Sequence, residues 1–89
     1  MIDLLARHKK EPKWLVVELK RGQSSDQTVG QVLRYMGWVR ENLASPEEKV
    51  QGLIISHSED KKIRYALKHT SNVELNLYEV DFNLKKIME

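Results

Sequence analysis

Three charged residues near the start of the chain have the types and spacing that metal-assisted chemistry on phosphates requires. Asp3 lies in a short apolar run, and Glu18 and Lys20 lie two residues apart in the next one. The two carboxylates, together with the backbone carbonyl of Leu19 as a third donor, are hard oxygen ligands suited to Mg²⁺ or Mn²⁺. A nearby ammonium can orient a water nucleophile or stabilise negative charge on a phosphate. The set predicts metal-assisted phosphodiester hydrolysis, and the alternative is a solvated salt-bridge cluster.

A β-hairpin would bring these residues together. Two β-prone runs surround a polar connection that contains Pro12, a pattern typical of a hairpin. Pairing that is symmetric about the Lys10–Glu11 peptide places Asp3 opposite Glu18. Lys20 projects from the same face because alternate residues of a strand share a face. The other face is then wholly apolar, and we expect it to be the buried one; it consists of Ile2, Leu4, Ala6, Leu15, Val17 and Leu19.

A helix is predicted after the hairpin. Ser24 and Gln27 form a capping-box pattern, and Asp26 suits the positive end of a helix dipole. The apolar residues that follow recur at helical spacing, and Pro46 ends the pattern because proline disfavours a helical residue before it. These residues form the predicted buried stripe: Val29, Val32, Leu33, Met36, Val39 and Leu43.

The second half of the chain is predicted to continue as strand, helix and strand. An almost unbroken apolar run over 50–56 is typical of a strand in the middle of a sheet. Ser58 can cap a second helix, with acidic residues in its first turn and basic ones in its last. The final run, 73–84, alternates with period two and changes parity near Leu77 and Tyr78, which indicates a bulge or break. The predicted order is β-β-α-β-α-β, an α/β fold with a mixed sheet.

Composition narrows the class of protein. The 89 residues correspond to one small domain, in which 40% are hydrophobic and 31% charged, a balance typical of a folded protein. The absence of cysteine excludes disulfides, Cys-type zinc fingers and thiol catalysis. No apolar run reaches the ~20 residues that span a bilayer and no secretory signal is recognisable, so we expect no membrane partner and a cytoplasmic location. The net charge of +2 permits nucleic-acid binding without requiring it.

Longer stretches of the chain resemble a known family. Asp3 followed by Glu18-Leu19-Lys20 resembles the PD-(D/E)xK phosphodiesterase signature, and the stretches 2–7, 16–22 and 31–36 resemble the nuclease domain of NucS/EndoMS-type endonucleases. Members of that family combine a DNA-binding N-terminal domain with a restriction-endonuclease-like C-terminal domain and cut DNA in a metal-dependent way. The resemblance implies a restriction-endonuclease-like mixed β-sheet with flanking helices and DNA as the partner.

The resemblance also implies roles for individual residues. By position, Asp3 and Glu18 would bind Mg²⁺ or Mn²⁺, and Lys20 would be the catalytic lysine. Gln31 and Tyr35, four residues apart on one helix face, would complete the catalytic site, and the alternative for this pair is the polar flank of a buried helix. Four basic residues are the predicted nucleic-acid contacts, with a solvated hairpin turn as the alternative for the first two: Lys9, Lys10, Arg21 and Arg34.

We expect residues 1–89 to form a single PD-(D/E)xK nuclease-like domain in a truncated or minimal version that lacks the usual N-terminal helix. The family pattern carries an acidic residue on that helix. Two functions are therefore open. The intact Glu18-Leu19-Lys20 favours a metal-dependent DNA endonuclease, and the missing acidic residue favours a non-catalytic DNA-binding or dimerisation module with the same fold. Because so small a domain is marginal alone, we expect a homodimer or a larger parent chain.

Overall fold

The computed structural model describes residues 4–79, which form one four-stranded sheet and two helices. In chain order the elements are β1 (Leu4–Arg7), β2 (Lys13–Ser24), α1 (Asp26–Asn42), β3 (Lys49–Glu59), α2 (Lys61–Lys68) and β4 (Val73–Leu77). The strands lie in the order β1-β2-β3-β4; β1 is antiparallel to β2, and the other neighbours are parallel. The predicted α/β class, mixed sheet and element order are confirmed. Neither described helix is long and apolar enough to cross a membrane.

The end of the chain is described only in part. β4 ends at Leu77, which is where the change of parity predicted a break. The second half of the predicted final run, residues 80–84, lies outside the described residues, as do Ile2 and Asp3 at the other end of the chain.

The register of the β1–β2 hairpin is the predicted one. Leu4 pairs with Val17 and Arg7 pairs with Trp14, so the pairing is symmetric about the middle of the polar connection. The imidazole Nδ1 of His8 accepts two backbone N–H groups of that connection, at 3.1 and 2.9 Å. The turn is therefore stabilised by its own side chain, which helps to hold the two strands in this register.

The helices cover the face of the sheet opposite to the one predicted. On the wholly apolar face Leu4 and Leu19 are 56% and 50% exposed, although Val17 is only 7% exposed. On the other face Val16 and Glu18 are 0% and 3% exposed. The core between this second face and the helices consists of Val16, Val29, Val32, Met36, Val39, Val50, Ile54, Ile63 and Val73. The prediction of the buried face was therefore wrong, and the charged residues of β2 lie on the helix-covered side.

Gly52 in β3 explains why this face is the covered one. It pairs with Val16, and a Cβ atom added to it would lie 2.6 Å from Cγ1 of Val32 and 2.8 Å from Sδ of Met36. Both distances are shorter than real contacts of a Cβ atom, so a larger residue would force the side chains of Val32 and Met36, or α1 itself, to shift. Both faces of β2 carry apolar residues, and the missing side chain at Gly52 lets α1 approach this one closely.

Both helices begin later than predicted. The N-cap of α1 is Ser25, whose N–H donates to Oγ1 of Thr28 at 3.5 Å, and Ser24 belongs to β2. The N-cap of α2 is Asp60, whose carboxylate accepts a backbone N–H of the first turn at 3.0 Å, and Ser58 belongs to β3. The predicted caps at Ser24 and Ser58 were wrong because β2 and β3 continue to pair beyond their apolar runs.

Candidate functional site

Glu18 is a charged residue in the interior of the sheet. Its strand lies between β1 and β3, and the residue is 3% exposed. Its Oε1 atom lies 3.2 Å from Nζ of Lys20, whose side chain is about one-third exposed. Its Oε2 atom has no hydrogen-bond partner within residues 4–79. A buried carboxylate oxygen without a donor costs stability, and a bound ligand is one explanation for such an exception.

The buried Oε2 atom of Glu18, which has no donor within residues 4–79, fits a divalent cation. An ionised carboxylate accepts through both oxygens, and Lys20 occupies only one of them. The described part of the chain contains no group of three or more acidic, histidine or cysteine side chains that could hold an ion, so a complete site needs further donors. Asp3, the second predicted ligand, lies outside the described residues, and its place opposite Glu18 stays a prediction. The role of the Leu19 carbonyl also stays a prediction.

Two buried serines hold the irregular segment that follows Lys20. Lys20 pairs with Ser56 of β3, and the register then shifts before the two strands pair again. The hydroxyl of Ser56, fully buried, lies within hydrogen-bond distance of the carbonyl oxygen of Gly22, at 3.1 Å, and of that of Ser58. Ser24, also fully buried, donates to the Ser58 carbonyl at 3.4 Å. Sequence reasoning missed these contacts, although a serine that ends an apolar strand run is a signal that could have found Ser56.

Gln31 and Tyr35 form a polar pair on α1. The side-chain amide of Gln31 donates to the Tyr35 hydroxyl at 3.5 Å, and both residues are half-buried. The ring of Tyr35 packs against the core, which lies on the same side of the sheet as Glu18. Within residues 4–79 no direct hydrogen bond links this helix pair to Glu18 or Lys20. That Gln31 and Tyr35 complete one catalytic site with Glu18 and Lys20 stays a prediction.

The four predicted nucleic-acid contacts lie on the surface. All of them are exposed, and none of their side chains forms an ion pair within the described residues: Lys9, Lys10, Arg21 and Arg34. Arg21 lies in the irregular segment after Lys20, and its carbonyl accepts the hydroxyl of Tyr78 at 3.3 Å. The ring of Tyr78 meets that of His57 edge-on, with 5.4 Å between centroids. This exposure is compatible with phosphate contact and with solvated surface groups alike.

A second carboxylate, that of Glu48, lies near the turn end of the hairpin and is bonded on both oxygens. The Nε atom of Arg7 donates to its Oε2 at 2.8 Å, and the backbone N–H and hydroxyl of Ser45 donate to its Oε1 at 2.8 and 3.1 Å. Arg40 donates to the carbonyl oxygens of Ser45 and Glu48 at 3.0 and 2.6 Å. The backbone hydrogen bond from Ser45 lowers the pKa of Glu48 to about 2 against the opposing effect of burial, with smaller contributions from the side chains of Trp14, Ser45 and Arg7. We call Arg7, Arg40, Ser45 and Glu48 the Glu48 cluster.

The Glu48 cluster ties β1 to the loop between α1 and β3. Sequence reasoning missed it because Arg7 and Glu48 are far apart in the chain and no local pattern joins them. It holds the hairpin against the rest of the sheet and is separate from the pair formed by Glu18 and Lys20.

Comparisons with known proteins relate the chain to one family. A family model described as Endonuclease NucS C-terminal domain matches residues 1–88. Endonuclease NucS of Methanocaldococcus jannaschii is 36% identical over 58 residues, which cover 65% of this chain and 21% of that protein. The matched part thus spans about a fifth of the length of this relative. No solved structure matches the chain.

Proposed function

The chain belongs to the Endonuclease NucS C-terminal domain family, and from this premise we propose that it is a metal-dependent DNA endonuclease domain with a restriction-endonuclease-like fold. The observation that carries the proposal is the buried carboxylate of Glu18, whose Oε2 has no partner within residues 4–79 and whose Oε1 lies 3.2 Å from Lys20. A solvated salt bridge would leave both carboxylate oxygens in water. The side chain of Glu18 is only 4% exposed, which argues against that alternative.

Three groups would hold the metal ion, Mg²⁺ or Mn²⁺: the carboxylates of Asp3 and Glu18 and the carbonyl of Leu19. The ion supplies polarisation of a phosphoryl oxygen and a bound water of lowered pKa. Glu18 contributes a hard anionic donor whose position is restrained by β2 and by its ion pair with Lys20. Because the core covers this carboxylate, few water molecules would compete with the ion for the oxygen that has no donor within residues 4–79.

Lys20 contacts the buried carboxylate of Glu18 and is itself partly exposed to solvent. Its ammonium contacts Glu18, yet about a third of the side chain is exposed to an approaching phosphate. In phosphodiester hydrolysis a water oxygen forms a bond to phosphorus, the bond from phosphorus to a sugar oxygen breaks, and charge grows on the phosphate oxygens. Lys20 stabilises that charge. Gln31 and Tyr35 supply an amide and a hydroxyl that orient the phosphate or the attacking water.

The second candidate is a non-catalytic DNA-binding or dimerisation module. One observation favours it, namely that the carboxylate of Glu18 is buried and already forms an ion pair with Lys20. The ion pair of Glu18 and Lys20 would then be structural. In either case a homodimer or a larger parent chain would cover part of the sheet face opposite the helices, where Leu4 is 56% exposed. Sedimentation as a monomer at all concentrations would exclude the homodimer.

Nicking of supercoiled plasmid DNA distinguishes the two candidates. With Mn²⁺ we expect wild type to nick the plasmid and Glu18→Gln to do so about 100-fold more slowly, because an amide replaces the anionic donor. Glu41→Gln is the matched control, since it makes the same chemical change at an exposed position of α1, and it should nick at the wild-type rate. EDTA should stop cleavage by all three proteins.

Calorimetric titration with Mn²⁺ adds a readout that does not depend on turnover. Wild type and Glu41→Gln should bind the ion, and Glu18→Gln should bind it much more weakly. Equal nicking by Glu18→Gln and wild type would refute the site. Absence of nicking with either metal, together with absence of Mn²⁺ binding, would favour the non-catalytic module.

A further inference from the structure

The pairing of β2 with β3 is interrupted by a β-bulge directly after Lys20. Lys20 pairs with Ser56 and Gln23 pairs with Ser58, so β2 advances by three residues where β3 advances by two. The two residues of β2 between these pairs, which we call the β2 bulge, are Arg21 and Gly22. A bulge bends its strand and turns the neighbouring side chains in a new direction. The direction in which Lys20 leaves the sheet therefore depends on the β2 bulge.

The glycine of the β2 bulge does not by itself account for the irregularity. No glycine within the described residues has a positive φ. A Cβ atom added to Gly22 would meet no atom within 4 Å. Neither the backbone conformation nor the available space requires a glycine at this position. The β2 bulge is therefore held by contacts with other parts of the chain.

Two hydroxyl groups from outside β2 bind the two carbonyl oxygens of the β2 bulge. The hydroxyl of Ser56, which is fully buried, lies 3.1 Å from the carbonyl oxygen of Gly22. The hydroxyl of Tyr78 donates to the carbonyl oxygen of Arg21 at 3.3 Å. A bulge takes backbone groups out of the regular ladder of hydrogen bonds, so these hydroxyls replace the donors that a neighbouring strand would supply. Each residue of the β2 bulge thus has a side-chain donor for its carbonyl.

The two donors are themselves held in place. The hydroxyl of Ser56 also lies close to the carbonyl oxygen of Ser58, but that oxygen accepts the hydroxyl of Ser24 at 3.4 Å. Because a serine hydroxyl has one proton to donate, this arrangement leaves the proton of Ser56 to Gly22. The backbone N–H of Tyr78 donates to the carbonyl oxygen of Ser56 at 3.0 Å. The two hydroxyls therefore belong to one connected set of hydrogen bonds.

We infer that Ser56 and Tyr78 are positioning residues, whose hydroxyls hold the β2 bulge and thereby keep the ammonium of Lys20 beside Glu18. Nζ of Lys20 lies 3.2 Å from Oε1 of Glu18. The side chain of Lys20 is about one-third exposed and has many rotamers, so this contact depends on the direction that the backbone gives it. Neither positioning residue needs to touch the substrate. The inference rests on the proposed function, in which Lys20 stabilises charge on the phosphate.

Nicking of supercoiled plasmid DNA with Mn²⁺ tests the effect on the reaction. Ser56→Ala and Tyr78→Phe each remove one hydroxyl and should lower kcat about 10-fold with KM nearly unchanged, because a displaced group that acts in the transition state costs rate and not substrate binding. Two controls should keep the wild-type kcat. Tyr65→Phe makes the same change at a tyrosine of α2 that is 63% exposed. Thr70→Val removes a hydroxyl that donates to a carbonyl oxygen of α2 at 2.8 Å.

The placement of Lys20 is measured by NMR without metal or DNA. In EDTA, the resonance of its ε-methylene group, assigned by its loss in Lys20→Arg, reports on the ion pair with Glu18. Glu18→Gln supplies the reference position for a broken pair. In Ser56→Ala and Tyr78→Phe the resonance should move towards that reference, whereas in the two controls it should stay at the wild-type position. Circular dichroism checks that every variant is folded.

Three results would overturn the inference. They are an unmoved Lys20 resonance in folded Ser56→Ala and Tyr78→Phe, an equal movement in Tyr65→Phe or Thr70→Val, and a moved resonance together with the wild-type kcat. If Ser56→Ala does not fold, Tyr78→Phe decides alone, because it removes one oxygen atom from a half-buried side chain. If wild type does not nick DNA, the proposed nuclease function fails, and the resonance still decides whether the two hydroxyls position Lys20.

Discussion

Glu18 and Glu48 are carboxylates near opposite ends of the β1–β2 hairpin, and they differ in the number of their donors. Both oxygens of Glu48 accept hydrogen bonds from Ser45 or Arg7. Glu18 contacts one ammonium through one oxygen, and within residues 4–79 its other oxygen has no partner. The same side chain is therefore used in two ways: a carboxylate with both oxygens bonded holds the strands together, and one that lacks a donor within the described residues keeps capacity for a ligand.

The largest difference between the two carboxylates should appear when metal is added. Mn²⁺ at one hundred times its dissociation constant should stabilise wild type by about 2.7 kcal/mol, because the ion binds the folded state through Glu18. The same addition should leave Glu18→Gln unchanged and should still stabilise Glu48→Gln. Thermal unfolding followed by circular dichroism, with and without metal, measures the effect. Stabilisation of Glu18→Gln as large as that of wild type would remove the distinction between the two residues.

A smaller effect is expected from breaking the Glu48 cluster. Arg7→Gln removes the guanidinium that bonds to Oε2 of Glu48, and we expect the melting temperature to fall by a few degrees. The nicking rate below the transition should be unchanged, since the Glu48 cluster contains no predicted site residue. Lys62→Gln is the control, because Lys62 is exposed, forms no ion pair within the described residues and is not a predicted site residue. Loss of nicking in folded Arg7→Gln would show that the two ends of the hairpin are coupled.

The smallest predicted effect is a dependence of stability on pH. The pKa of Glu48 is about 2 in the folded chain and 4.5 in its ordinary state, so its ionised form stabilises the fold above about pH 4.5. That contribution is lost as the pH falls from about 4.5 towards about 2, because over this range the unfolded chain binds a proton at Glu48 and the folded chain does not. The stability difference between wild type and Glu48→Gln should therefore shrink over this range in urea unfolding experiments. A difference that stays constant would contradict the role of the Ser45 and Arg7 bonds.

The hairpin and the helix caps mark the limits of prediction from local pattern. The register was predictable because strand alternation and a short polar connection leave few pairings that keep like residues on one face. The caps at Ser24 and Ser58 were not, since both residues suit a helix start and only the extended pairing of β2 with β3 makes them strand residues. The Glu48 cluster was beyond prediction for a similar reason, as its partners meet only in the folded chain.

For the candidate site, the amino-acid sequence by itself determined that Glu18 and Lys20 share one face of a strand, because alternation is a property of the local backbone. It also determined the register that pairs β1 with β2. Only the tertiary structure decided that this face lies under α1, where Gly52 lets the helix approach the sheet. Packing between distant elements thus turned a charged pair on a strand into a buried carboxylate, one oxygen of which has no donor within residues 4–79, since burial depends on what covers a residue and not on its neighbours in the chain.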